Sequence, residues 1–255
     1  MTQRTAIPLI VAHRGASHNA PENTQAAIEE AWIRDADAVE IDVRLTRDRQ
    51  IVAIHDADTS RTSGQSLTVA ENDYELLSQL DVGRWKSAAH SGEQIPLLRD
   101  ILDRLPPHKQ LLVELKCGEE IAEPLVAELA SQKNLQQQVV IIGFNAMLVS
   151  EVKRKIPSLS ALLCVRAVDA GENRWSSMAV ERLIDAAHHL GLDGVDLDAA
   201  IPIDVAAVQQ LHAADLSCHF WTVDDPEQAI ALKEAGVDGL TTNRPGWLRE
   251  QLECE

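Results

Sequence analysis

The sequence predicts an α/β fold: a (β/α)8 barrel with a small insertion after the second strand, forming one domain over residues 1–255. Three observations carry that prediction. Short apolar runs alternate with longer amphipathic ones, the pattern of strands each followed by a helix. Eight such units fit a chain of 255 residues, the usual size of a single barrel. An open doubly wound sheet would carry a glycine-rich turn after an early strand, and no Gly-x-Gly-x-x-Gly is found in the sequence.

The elements follow in order. Leu9 to Gly15 reads as the first strand, and Glu22 to Arg34 as a helix capped by Asn23 or Thr24. Ala38 to Leu45 and Gln50 to His55 are strands joined by the polar turn Thr46-Arg47-Asp48-Arg49, too short for a crossover, so the second is a hairpin-like extension of the first. Residues 57–95 are polar, with one weak helix from Glu71 to Leu80, and read as the insertion. Leu97 to Leu105 is a helix ended by Pro106-Pro107.

The remainder is regular. Predicted strands are Gln110 to Lys116, Val139 to Phe144, Ser160 to Val165, Gly194 to Asp198, Ser217 to Val223 and Gly239 to Thr242. The helices between them are Glu119 to Gln132, Met147 to Lys155, Ser177 to Leu190, Asp204 to Ala214 and Pro226 to Ala235, with a last one from Gly246. Gly191 and Gly236 close two of them.

A net charge of −17 disfavours nucleic acid and anionic membrane surfaces as partners. Cys117, Cys164, Cys218 and Cys254 form no Cys-x-x-Cys pair and read as free thiols in a reducing compartment. The apolar run Ile7 to Ala12 is too short for a secretory segment, and no stretch approaches the ~20 residues that span a bilayer. A soluble cytoplasmic protein is the expectation. The insertion is a candidate cover for the barrel mouth or a contact surface in a homo-oligomer.

Barrel strands should be Val, Ile and Leu, yet polar residues interrupt them near their carboxyl ends, where barrel enzymes place their chemistry. Glu40 and Asp42 alternate with Val39, Ile41 and Val43, so both acids share one face. Glu114 and Lys116 do the same, His13-Arg14 closes the first strand, and His55 ends the hairpin extension. An ordinary reading exists for each: a structural His, an edge-strand salt bridge, a solvated Lys, a core Trp at 221. Inward acids on an apolar strand nevertheless need compensation, and three of them suit a hard divalent ion, Mg²⁺ or Ca²⁺. Two strand-end histidines beside them favour acid/base chemistry.

At these residues the chain resembles the glycerophosphodiester phosphodiesterase family, of the bacterial, cytosolic type. His13-Arg14-Gly15 followed by Pro21-Glu22-Asn23-Thr24 looks like that family's first signature, and Glu40-Ile41-Asp42-Val43 followed by His55-Asp56 looks like its second. Ile95-Pro96-Leu97-Leu98, Val113-Glu114-Leu115-Lys116, Trp221-Thr222-Val223 and the run from Gly239 to Pro245 extend the likeness in order from about Leu9 to Pro245. The resemblance implies a TIM barrel with an insertion after the second strand. It implies a divalent metal on Glu40, Asp42 and Glu114, acid/base histidines at His13 and His55, phosphate contacts at Arg14 and Lys116, and a substrate wall near Trp221.

The expected activity is metal-dependent hydrolysis of a small glycerophosphodiester to sn-glycerol 3-phosphate and an alcohol. The alternatives are another phosphodiester, such as a lysophospholipid, and a non-catalytic barrel that only binds phosphoesters. Gly143 stands where the family usually has Ser, Asp224 where it has Asn, and Thr59 or Ser60 where it has Leu. These departures lie outside the histidine and acid set and bear on the alcohol side.

Overall fold

The computed structural model describes residues 6–168 and 177–253. Its strands are β1 (Leu9–His13), β2 (Ala38–Leu45), β3 (Ile51–Ala53), β4 (Gln110–Leu115), β5 (Val139–Gly143), β6 (Ser160–Val165), β7 (Gly194–Asp198), β8 (Ser217–Trp221) and β9 (Gly239–Thr242). The sheet runs β1-β9-β8-β7-β6-β5-β4-β2, all parallel, and a β1–β2 pairing closes it into an eight-stranded barrel. β3 lies antiparallel on the upper half of β2, the hairpin extension that the short polar turn predicts.

The helices are α1 (Gln25–Ile33), α2 (Ser60–Ser63), α3 (Tyr74–Leu77), α4 (Leu98–Leu102), α5 (Ala122–Ser131), α6 (Ala146–Lys155), α7 (Ser177–Leu190), α8 (Val205–Ala213), α9 (Pro226–Ala235) and α10 (Pro245–Glu253). Side-chain caps start several of them. Thr24 Oγ1 accepts the Ala27 N–H, Asn145 Oδ1 that of Leu148, and Asp204 Oδ1 that of Ala207. α9 opens on Pro226 and closes at Gly236, whose left-handed φ of 86° lets its N–H reach the last carbonyls.

Two apolar layers result from the alternation along each strand. Outward residues such as Ile10, Ile41, Val113, Ile141 and Phe220 pack under the helices. Val11, Ala38, Leu112, Val140, Ile142 and Leu162 plug the barrel interior below the site. In the segment 57–95 the predicted Glu71 to Leu80 helix shrinks to α3, and the rest of its helical structure is short: α2 and the 3-10 turns Val69–Glu71 and Ala88–His90. It holds together through its own small core, in which Leu77, Leu80, Val82 and Ile95 pack against Val52 and Ile54. β1 ends two residues earlier than predicted, because Arg14 and Gly15 turn the chain with φ of 56° and 78°. Cys117, Cys164 and Cys218 are free thiols, and Cys254 lies outside the described residues. No described helix is long and apolar enough to cross a membrane.

Candidate active site

Strand register alone brings the acids together. His13 on β1 is level with Glu40 on β2, and Asp42 is level with Glu114 on β4. All four point into the barrel at its carboxyl end, and one oxygen from each acid lies within 4.8 Å of the others. Glu40 and Asp42 are fully shielded from solvent and Glu114 nearly so. Burial, then the charges of Asp42 and Glu114, push the Glu40 carboxyl well above its ordinary pKa. Burial raises Glu114 to about 6 although Lys116 opposes it. Burial would raise Asp42 too, but Arg14, Lys116 and His55 overcome it and hold its carboxyl below the usual range.

The donor set fits a hard divalent ion. Glu40 Oε1 is buried with no partner, and Asp42 Oδ1 and Glu114 Oε1 are paired with the Lys116 ammonium, at 3.2 and 2.5 Å. Three buried oxygens with spare lone pairs, each already costly as a lone anion, match what Mg²⁺ or Ca²⁺ requires.

Arg14 sits over this triad because its backbone is left-handed. Its own N–H donates to Glu40 Oε2 at 2.9 Å, its Nε lies 3.0 Å from Asp42 Oδ2, and its Nη1 donates to Glu22 Oε1 at 2.9 Å. The next residue must be glycine: a Cβ at Gly15 would fall 2.5 Å from the Ala27 carbonyl carbon. Asn23 fixes Asp42 from the same loop, donating from Nδ2 to Oδ2 at 2.8 Å and accepting the Asp42 N–H at 3.0 Å.

The two histidines are held from behind. Asn243 Oδ1 stands 2.8 Å from His13 Nδ1, so the network places the proton on Nδ1 and leaves Nε2 free. Asp224 in turn accepts from the Asn243 side chain and from its N–H at 2.9 Å. Burial and then Arg14 lower the pKa of His13, so the ring is neutral at pH 7. His55 follows Ile54, whose N–H donates to the Asp42 carbonyl at 2.9 Å, and its Nδ1 lies 2.8 Å from Asp56 Oδ1.

Trp221 forms one wall, its Nε1 donating to the Asp196 carbonyl at 3.1 Å and its ring meeting Phe144 edge-on at 5.5 Å. A cavity of about 20 Å³ lies between His13, Glu40, Glu114, Cys164, Asp196 and Trp221. The structure thus gathers every sequence-predicted residue at one end of the barrel. Sequence reasoning gave no site role to Glu22 or Asn243, read Asn23 only as a helix cap and placed Asp224 on the alcohol side; in the structure all four hold the others, Asp224 standing behind His13 through Asn243. It also missed Asp196, whose buried Oδ1 has no partner and whose pKa burial and Glu114 push far up. The signal for Asp196 was present, since Val195 and Leu197 flank it as apolar residues flank Glu40.

Residues 13–247 match the Glycerophosphoryl diester phosphodiesterase family. The chain belongs to that family. Among its relatives in the glycerophosphoryl diester phosphodiesterase family, a glycerophosphodiester phosphodiesterase of Caldanaerobacter subterraneus subsp. tengcongensis is 31% identical over 242 residues, 93% of this chain and 94% of the relative. One from Bacillus subtilis is 28% identical over 253 residues, 93% of this chain and 84% of the relative. The fold is similar to that of an Oleispira antarctica phosphodiesterase solved in complex with the product sn-glycerol-3-phosphate (TM-score 0.82, 28% identity, 97% of each chain). It is similar also to a Thermotoga maritima glycerophosphodiester phosphodiesterase (TM-score 0.75, 21% identity, 95% of this chain and 97% of that one), a likeness of fold. The family match begins at His13 and so takes in every residue of the cluster.

Proposed function

We propose that the protein hydrolyses small glycerophosphodiesters to sn-glycerol 3-phosphate and an alcohol, with residues 1–255 as one catalytic domain and 57–95 as an insertion within it. The observation that carries the reading is the three-acid cluster, with oxygens within 4.8 Å of one another, walled by His13, Arg14 and Lys116. Relatives and a solved neighbour of the same family support the substrate class.

Glu40, Asp42 and Glu114 would hold a divalent ion. When bound, it supplies charge neutralisation for the nonbridging phosphate oxygens and the developing alkoxide. Arg14 offers its guanidinium fork to a pair of phosphate oxygens, while Lys116 acts as a point charge on the same group. His13, neutral at pH 7, is suited to accept a proton from the attacking hydroxyl or water. His55 then protonates the leaving alcohol oxygen, its ring plane set by Asp56. Trp221 and Phe144 exclude water from one side of the mouth.

The test is hydrolysis of glycerophosphocholine and glycerophosphoethanolamine, with a lysophospholipid alongside, in Mg²⁺ or Ca²⁺ and in EDTA. Release of glycerol 3-phosphate with metal and its loss with chelator is the expected result. Full activity after exhaustive chelation would remove the ion from the reading. Turnover of the lysophospholipid alone would replace the substrate class.

A further inference from the structure

We propose that Arg61 is a positioning residue that sets both sides of the phosphate site at once, His55 through Asp56 and Arg14 through Glu22. The inference rests on the reading above of His55 as an acid/base group and Arg14 as a phosphate contact.

Arg61 lies in α2, within the segment 57–95, and its guanidinium faces back to the barrel mouth. Nη1 and Nη2 donate to the two oxygens of Glu22 at 2.8 and 2.7 Å, and Nε donates to Asp56 Oδ2 at 2.5 Å. Each of those carboxylates also touches a site residue. Asp56 Oδ1 is 2.8 Å from His55 Nδ1, and Glu22 Oε1 accepts from Arg14 Nη1 at 2.9 Å. One rigid fork therefore joins two otherwise separate arms of the site. Lysine, a point charge, cannot reproduce three directed bonds to two carboxylates.

Two effects follow. Asp56 is a third exposed and would otherwise swing toward water; Arg61 keeps it where it orients the His55 ring. Around Arg14 stand three acids, Glu22, Glu40 and Asp42, and Arg61 shares the charge of the outermost. Without it, Glu22 would place its full charge on Arg14 and draw that guanidinium away from an incoming phosphate. Loss of Arg61 should thus lower kcat through His55 and raise KM through Arg14.

The experiment is steady-state kinetics of the metal-saturated full chain on glycerophosphoethanolamine, with thermal melts to confirm folding. R61A should lower kcat by roughly tenfold or more and raise KM several-fold, as small misplacements of catalytic groups do. Millimolar guanidinium chloride should recover part of the lost kcat in R61A and leave the wild type unchanged. D56N/R61A should have the kcat of D56N alone. R47A, which breaks the Arg47–Asp73 pair tying the same segment down elsewhere, should stay within twofold of wild type. If R61A folds poorly, R61K gives the same reading of kcat and KM. An active wild type with R61A or R61K within twofold of it would overturn the proposal. So would a loss that guanidinium does not recover or that R47A matches. A wild type inactive on every glycerophosphodiester would instead overturn the function it rests on, and would do so before any variant is made.

Discussion

Glu40 is a carboxylate in a place where a carboxylate is expensive. It has one oxygen on the Arg14 N–H and one on nothing, with two further acids beside it. Chelated protein should therefore gain from neutralising it: Glu40→Gln is expected to raise the Tm of the metal-free protein by about 2–4 °C, the shift for about 1 kcal/mol in a chain of this size. The same variant should lose the Tm increase that Mg²⁺ or Ca²⁺ gives the wild type. A lower Tm in EDTA would show that the acid is tolerated for a reason other than cation binding. At the histidines the expectation is kinetic: His13→Ala and His55→Ala should each reduce kcat by about 10²-fold or more, measured as glycerol 3-phosphate release. A tenfold or smaller loss in both would make the rings structural.

Elements matter here because the acids and His13 stand on the strands, while Arg14, His55 and Lys116 and the residues that hold them come from the turns and caps just beyond. The β1–α1 loop bends through Arg14 and Gly15, then delivers Glu22 and Asn23 before Thr24 caps α1. Gly15→Ala would force a Cβ into the Ala27 backbone at a left-handed φ, so a loss of more than about 2 kcal/mol in denaturant unfolding is expected. Thr24→Ala keeps the glycine turn but removes the cap and the hydroxyl's bond to the Pro21 carbonyl at 2.7 Å, for about 1–2 kcal/mol. Gly239 on β9 plays a different part: a Cβ there would fall 2.2 Å from His219 Nδ1. The glycine exists to let a buried imidazole fill the barrel, and Gly239→Ala should destabilise by about 1–3 kcal/mol.

For the whole molecule, pH acts in two opposite directions. His219 is buried and its pKa falls to about 4. The unfolded chain protonates its histidine near pH 6.5, so stability is lost as pH drops from about 6.5 toward 4, by up to about 3 kcal/mol. His219→Gln should flatten that slope. Glu114, raised to about 6, works the other way: its unfolded value is near 4.5, so metal-free stability declines as pH rises through 4.5 to 6, by about 2 kcal/mol. Added Mg²⁺ or Ca²⁺ should erase the second slope and leave the first, a difference visible in Tm-against-pH curves.

Much of this was legible in the chain. Strand alternation marked Glu40, Asp42 and Glu114 as inward acids, and the short turn after Leu45 marked β3 as a hairpin partner of β2. The segment 57–95 was overread as carrying a ten-residue helix, because its apolar residues Leu77, Leu80 and Val82 serve a small local core rather than a helix face. Asn243 was visible as a polar strand end without a role, since its bond to His13 spans 230 residues of sequence.

By itself, then, the sequence determined which faces of which strands would be polar, because a period of two is written locally. Whether His13 meets Asn243, whether Glu22 and Asp56 share one guanidinium, and whether Asp196 lines one cavity with Glu40 and Glu114 were decided only when β1 paired with both β2 and β9 and the barrel closed. Ring closure sets distances between residues far apart in the chain, and no local pattern encodes them.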